Sequence, residues 1–345
     1  MKLLIATTII WSFSFSIIGN VISPAVDSWS LAFYRSLLGF IFFLPWIKKS
    51  KISKYQFKLI PIGALQIGLM YIFYLSAFNF TTVPRVLLFT TTTPLFIAIT
   101  DSFVTKKFRS SIYLLAFFST LGALIIRTTY FDHDDLMGFL FIQCANICFA
   151  FGQILYKTLK MKNNDNTNIY SDFAFFFFGA LLVSCGGLLI SPYSLSLSLG
   201  IIDVIAILWL GIFATGLGYF MWNRGTVEVS SSTLAVTNNL VIPLGLFVEV
   251  LFFSSNPLTA PSATIFVTFL LFFRNFTDFD NDGPAPITTT VLFSIISCSC
   301  FFEALFFNIE FNFFAERKSS LSEYPKSLRI SLNLVFHPCI VISLK

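Results

Sequence analysis

Gly68–Tyr74 reads GLMYIFY, and Gly216–Trp222 reads GLGYFMW. Tyr71 and Tyr219 are 148 positions apart, and each heptapeptide sits inside a long apolar run. A second pair follows in register. TTTTP at Thr90–Pro94 faces TNNLVIP at Thr237–Pro243, with Pro94 and Pro243 149 positions apart. Two matches in the same order, with one residue gained between the anchors, mark an internal repeat.

The medium around this repeat is set by composition. The chain has 345 residues, 56% hydrophobic and 18% aromatic, with a mean hydropathy of +0.82. Only 11% are charged, against about 25% in a soluble domain. Lipid must solvate most of such a chain. A spanning helix needs about 20 mostly apolar residues, and nine segments supply them: 3–23, 29–47, 59–78, 84–104, 111–127, 137–156, 170–190, 203–222 and 232–253. A shorter tenth candidate covers 258–273. The opening MKLLIATTIIWSFSFS is long, contains Trp11 and lacks a small-residue cleavage site, so it reads as a retained first helix.

Loop charge gives direction. With the N-terminus cytoplasmic, thirteen Lys and Arg fall on the cytoplasmic side, and only Arg85 and Arg127 on the other. Short loops follow the positive-inside rule. The net charge of +5 therefore concerns orientation, and nucleic acid is not an expected partner. Five helices per unit flip the second unit relative to the first. The fold expected is an all-α integral membrane protein of about ten helices, in two inverted five-helix repeats over 1–127 and 137–273. Transporters use this device to rock two halves about a central site.

The chain resembles the EamA group of the drug/metabolite transporter superfamily. The resemblance rests on IIWSFSFSIIGNVI from Ile9, LAFYRSLLGFIFFLP from Leu31, TTTTPLFIAI from Thr90, GLGYFMWNRG from Gly216 and STLAVTNNLVIPLG from Ser232, and covers about 1–273. It implies both termini in the cytoplasm, a bacterial inner membrane, and transport of small metabolites such as amino acids, amines or carboxylates. It implies no cofactor. Membrane lipid and a second copy of the chain are the other partners considered. Residues 274–345 depart from the pattern: a polar loop, RNFTDFDNDGPAP, precedes a Phe-rich stretch with Glu303 inside it. This tail is expected to be atypical or altered.

Several intramembrane polar groups are candidate substrate-binding residues. FTTTTPLF at Phe89–Phe96 places four hydroxyls and a proline inside a span. Proline frees a carbonyl one turn earlier, which threonines, neighbouring helices or water can satisfy. Thr90, Thr91, Thr92 and Thr93, with Asn238 and Asn239 in the matching stretch, line a cavity or else glue helices together. Arg35 lies about six residues into the second span, where charge is a functional hypothesis by default; the alternative is snorkelling to the interface. Glu249 lies at similar depth and is its expected partner. Asp101, its rough counterpart, is the other coupling or gating candidate, with Lys106 and Lys107 as bland partners. Trp11 and Tyr71 are deep enough to stack a substrate, or to pack the core, whereas Trp222 reads as part of the interfacial belt. Gln66, Gln143, Asn146 and Gln153 line the cavity or bridge helices.

Asp132–Asp135, reading DHDD, is expected to be a solvated loop rather than a metal site, and six scattered cysteines form no zinc pattern. No GxSxG, HExxH or P-loop motif is present. The function expected is a secondary transporter working by alternating access. The alternatives are an intramembrane enzyme of lipid metabolism, for which the acidic groups are too spread, and a lipid-flippase partner subunit.

Overall fold

The computed structural model describes residues 1–22, 26–49, 52–106, 108, 113, 133–162, 167–191, 195 and 199–253. Within them lie eight helices long and apolar enough to cross a membrane: α1 Lys2–Val21, α2 Ser28–Ile47, α3 Lys54–Ala77, α4 Val83–Thr105, α5 His133–Met161, α6 Ile169–Ile190, α7 Ile201–Glu228 and α8 Ser231–Phe253. They correspond to eight of the predicted spans. The predicted spans at 111–127 (residue 113 apart) and 258–273, and the tail, lie outside the described residues.

Side-chain caps start several helices by satisfying first-turn N–H groups that have no carbonyl partner. The Asp27 carboxylate accepts from the N–H of Trp29 and of Ser30 at 2.9 and 3.1 Å. Ser53 and Gln56 form a capping box on α3. Asn168 caps α6, and Ser230 caps α8.

Contacts at the helix ends fix direction. The Met1 amino group lies 3.6 Å from Glu228 at the end of α7, and Lys157 at the end of α5 donates to the carbonyl of Val229. So α1 begins where α5 ends. Trp46 late in α2 stacks on Tyr170 early in α6, with centroids 5.4 Å apart. Asp101 late in α4 meets Ser231 at the start of α8. Gln66 and Tyr71 of α3 meet Asn223 and Thr215 of α7 in reversed order. Each helix of α1–α4 is antiparallel to its counterpart in α5–α8.

The packing has the same symmetry. Helices α2 and α6 pack together, as do α4 and α8. Exchange of the halves converts α3 against α6 into α7 against α2, α3 against α5 into α7 against α1, and α4 against α5 into α8 against α1, and all six contacts are present. The described helices thus form an inverted repeat. The tightest crossing joins α3 to α6, where Gly63 backs onto the carbonyl of Phe176 and Gly179 onto that of Ile60. Small residues let membrane helices approach at backbone distance.

Both halves also share their irregularities. Each of α3 and α7 contains a π-helical stretch, at Ala64–Leu69 and Leu210–Leu217. Helix α4 tightens to a 3-10 turn at Thr90–Thr92, just before Pro94. Helix α8 is interrupted at Leu240, just before Pro243.

Candidate functional site

Pro94 has no N–H for the carbonyl of Thr90, its partner one turn back. The Thr93 hydroxyl takes that carbonyl at 2.7 Å. The carbonyl of Phe89 accepts from the amides of Gln143 and Asn146, at 3.2 and 3.1 Å. Thr90 and Thr91 donate back to Leu87 and Leu88 at 2.6 and 2.7 Å. The hydroxyls therefore supply the hydrogen bonds that lipid cannot, and α5 lends two amides across the gap. The cavity wall here is a broken helix with its backbone satisfied.

The cavity lies among helices of both halves. Its wall is Trp11, Ser14 and Phe15 of α1, Arg35 of α2, Met70, Tyr71 and Tyr74 of α3, Thr90 and Thr93 of α4, Ala145, Asn146 and Phe149 of α5, Tyr219 of α7, and Asn238 and Val241 of α8. With its open mouth it encloses about 600 Å³ of empty space, open solvent included. The rings of Phe149, Tyr219 and Trp222 surround Trp11, with centroids 5.0 to 5.7 Å from its own. The Trp11 indole N–H donates to the carbonyl of Ala214 at 2.8 Å, within the π-helical stretch of α7.

Arg35 is 2% exposed. Its Nε donates to Thr215 at 3.0 Å, and its Nη2 to the Tyr71 hydroxyl at 2.9 Å. Tyr71 and Thr215 bond to each other at 2.7 Å. The guanidinium also lies 4.2 Å from the centre of the Tyr71 ring, close enough for a cation–π attraction. Among the described residues its Nη1 has no partner, and none of those that line the cavity is acidic. A buried cation without a counter-ion is costly, so this wall is suited to an anion.

A model of the EamA-like transporter family matches residues 1–128. The chain is 37% identical over 257 residues to the probable biotin transporter of Pseudomonas aeruginosa, spanning 74% of this chain and 90% of that one. The chain belongs to the EamA-like transporter family. It is also 35% identical over 263 residues to the biotin transporter of Salmonella typhimurium, and 34% over 259 residues to that of Escherichia coli K12, spanning 74% of this chain and 86% of each. A solved structure described as "Crystal structure of protein" superposes with a TM-score of 0.59 over 86% of this chain and 97% of its own, at 14% identity. That likeness concerns the fold. The chain is a transporter of the membrane, not an enzyme, and its substrate is a small molecule.

In this EamA-family chain the cavity gathers Trp11, Arg35, Tyr71, Thr90, Thr93 and Asn238 from the sequence candidates. Thr91, Thr92 and Asn239 are not on its wall. Thr92 instead bonds to Gln143 and Asn146. The expected pairing of Arg35 with Glu249 is not formed. Helix α2 packs against α3, α6 and α7 rather than α8, and Glu249 accepts from Asn20 at 3.0 Å. Asp101 does not pair with Lys106; one of its oxygens accepts from Ser231 at 2.7 Å, and the other has no partner. Lys107 lies outside the described residues.

Trp222 is fully buried and donates to Gln153 at 3.0 Å, not placed in an interfacial belt. Gln66 and Asn223 exchange amide hydrogen bonds between α3 and α7. Gln66 and Gln153 are bridges, whereas Asn146 both bridges and lines the cavity. Asp135 of the DHDD stretch is 1% exposed and held by Arg85 and Thr81. It is a helix tie rather than a solvated loop residue, and no group suited to a metal ion occurs among the described residues. Tyr74 and Phe149 were missed. Their only signal was position, one helical turn from Tyr71 and from Asn146 respectively.

Proposed function

We propose that this chain carries biotin, or a close carboxylate analogue, across the membrane by alternating access. The observation that carries the reading is the unpartnered Nη1 of Arg35, buried on the wall of an aromatic cavity between the two halves. Biotin has one carboxylate, an apolar chain and a compact bicyclic head. The carboxylate binds Arg35, held by Tyr71 and Thr215, and the head packs among Trp11, Phe149 and Tyr219. The relatives named as biotin transporters support this choice over amino acids and amines. An amine finds no anionic partner among the described residues of the cavity.

On this reading the repeats 1–127 and 137–273 rock against one another. Asp101 and Glu249 are gating residues, since the side-chain bond of each joins one half to the other: Asp101 to Ser231 near the Met1 end, and Asn20 to Glu249 at the opposite end. The basic loops support a cytoplasmic Met1 end in a bacterial inner membrane. The test is uptake of radiolabelled biotin by proteoliposomes containing the purified chain, with an imposed pH gradient and without one. Uptake no greater than in empty liposomes under either condition, with no biotin binding in detergent, refutes the reading.

A further inference from the structure

Arg35 is not the only uncommitted polar group on the cavity wall. Asn238 of α8 is 7% exposed, lines the cavity, and its side-chain amide has no hydrogen-bond partner among the described residues. The other amides nearby are committed or off the wall: Gln66 pairs with Asn223, Asn146 donates to Phe89 and Thr92, and Gln153, whose oxygen accepts from Trp222, does not line the cavity. The amide atoms of Asn238 are not among the sealed, unpartnered ones, so both of its polar groups remain open to a ligand that enters the cavity.

Asn238 approaches from a different flank than Arg35. Helix α2 packs against α3, α6 and α7, while α8 packs against α1 and α4. The rings of Trp11, Phe149 and Tyr219 also line the wall. The site therefore has two separate poles, one cationic and one amide, in an aromatic setting. An amide side chain presents one donor face and one acceptor face side by side. A cyclic urea presents the complement: a carbonyl beside an N–H.

We propose that Asn238 is a specificity-determining residue that recognises the cyclic urea of the substrate by a paired N–H···O=C and C=O···H–N contact. The inference rests on the biotin reading and deepens it. Arg35 takes any carboxylate of suitable length, and Asn238 selects the head group. A site built to hydrogen-bond a polar group rejects analogues that lack it far more strongly than a greasy pocket rejects a missing methylene.

The experiment is competition against radiolabelled biotin on the purified full chain. Three competitors are used: desthiobiotin (urea kept, sulfur ring lost), lipoate (carboxylate and sulfur ring, no urea) and diaminobiotin (urea carbonyl removed). Desthiobiotin is expected to compete within about tenfold of biotin, and the other two at least about 100-fold more weakly. Asn238→Leu should weaken biotin about 10- to 100-fold and bring biotin and lipoate within about threefold of each other. Lipoate competing as well as biotin on the unaltered chain overturns the urea assignment, without any variant needing to fold, and leaves the transport reading standing. An unchanged biotin preference in Asn238→Leu overturns it likewise. No biotin binding by the unaltered chain removes the transport reading, and this assignment with it.

Discussion

Replacing Gly63 by alanine should separate α3 from α6. A Cβ at Gly63 would lie 1.8 Å from the carbonyl oxygen of Phe176 and 2.6 Å from its carbon. Ordinary contact begins at 3.4 Å, so the approach is short by about 1.6 Å. The obstructing atoms are backbone, and no rotamer change removes them. The helices must move apart along the crossing, which also strains the reciprocal contact of Gly179 with Ile60. Overpacking a tight core costs about 1–3 kcal/mol, and a backbone clash belongs at the upper end. At roughly 2–4 °C per kcal/mol, Gly63→Ala should lower the melting temperature in detergent by about 6 °C or more. Gly186 on α6 is the control: a Cβ there meets nothing within 4 Å. Gly186→Ala should be neutral, or stabilising by up to about 1 kcal/mol. The measurement is thermal unfolding followed by size-exclusion chromatography. A Gly63→Ala protein that melts with the unaltered chain refutes the backbone crossing.

Arg35→Ala should weaken biotin binding by about 100-fold, with Arg35→Lys intermediate, because lysine keeps the charge but loses the fork that Tyr71 and Thr215 hold; equal binding by all three proteins removes Arg35 from the site. Gln66→Leu and Asn223→Leu should each cost about 1–3 kcal/mol by stranding the other amide, and the double variant less than their sum; additive melting shifts contradict the bridge. Glu249→Gln should leave biotin affinity within about twofold, because Glu249 is not on the cavity wall and its Asn20 contact is exposed. A loss of affinity in detergent would place Glu249 back at the site.

Hydropathy alone predicted the described spans, because lipid forces each to be long and apolar. The broken fourth helix was legible too: TTTTP can satisfy its backbone only in a few ways. The partner of Arg35 was not. Depth along the helix matched it to Glu249, but which helices touch depends on how the halves interlock around α3 and α6, and sequence order does not give that. Trp222 failed for a related reason. It precedes Arg224 near a predicted helix end, so it read as interfacial. Helix α7 in fact runs to Glu228, leaving Trp222 a turn and a half inside and facing Gln153. Asn238 was visible as a polar residue in an apolar run, but its open amide was not, because commitment depends on neighbours from other helices.

The placement of Trp11 has a practical consequence. Its indole forms part of the cavity wall, while Trp29, Trp46 and Trp209 do not. Indole fluorescence responds to the polarity around the ring, and a ligand entering this cavity displaces whatever surrounds Trp11. The chain therefore carries its own optical gauge of occupancy. Ligand titrations can be read from intrinsic emission, without attaching a dye that would occupy the space being measured.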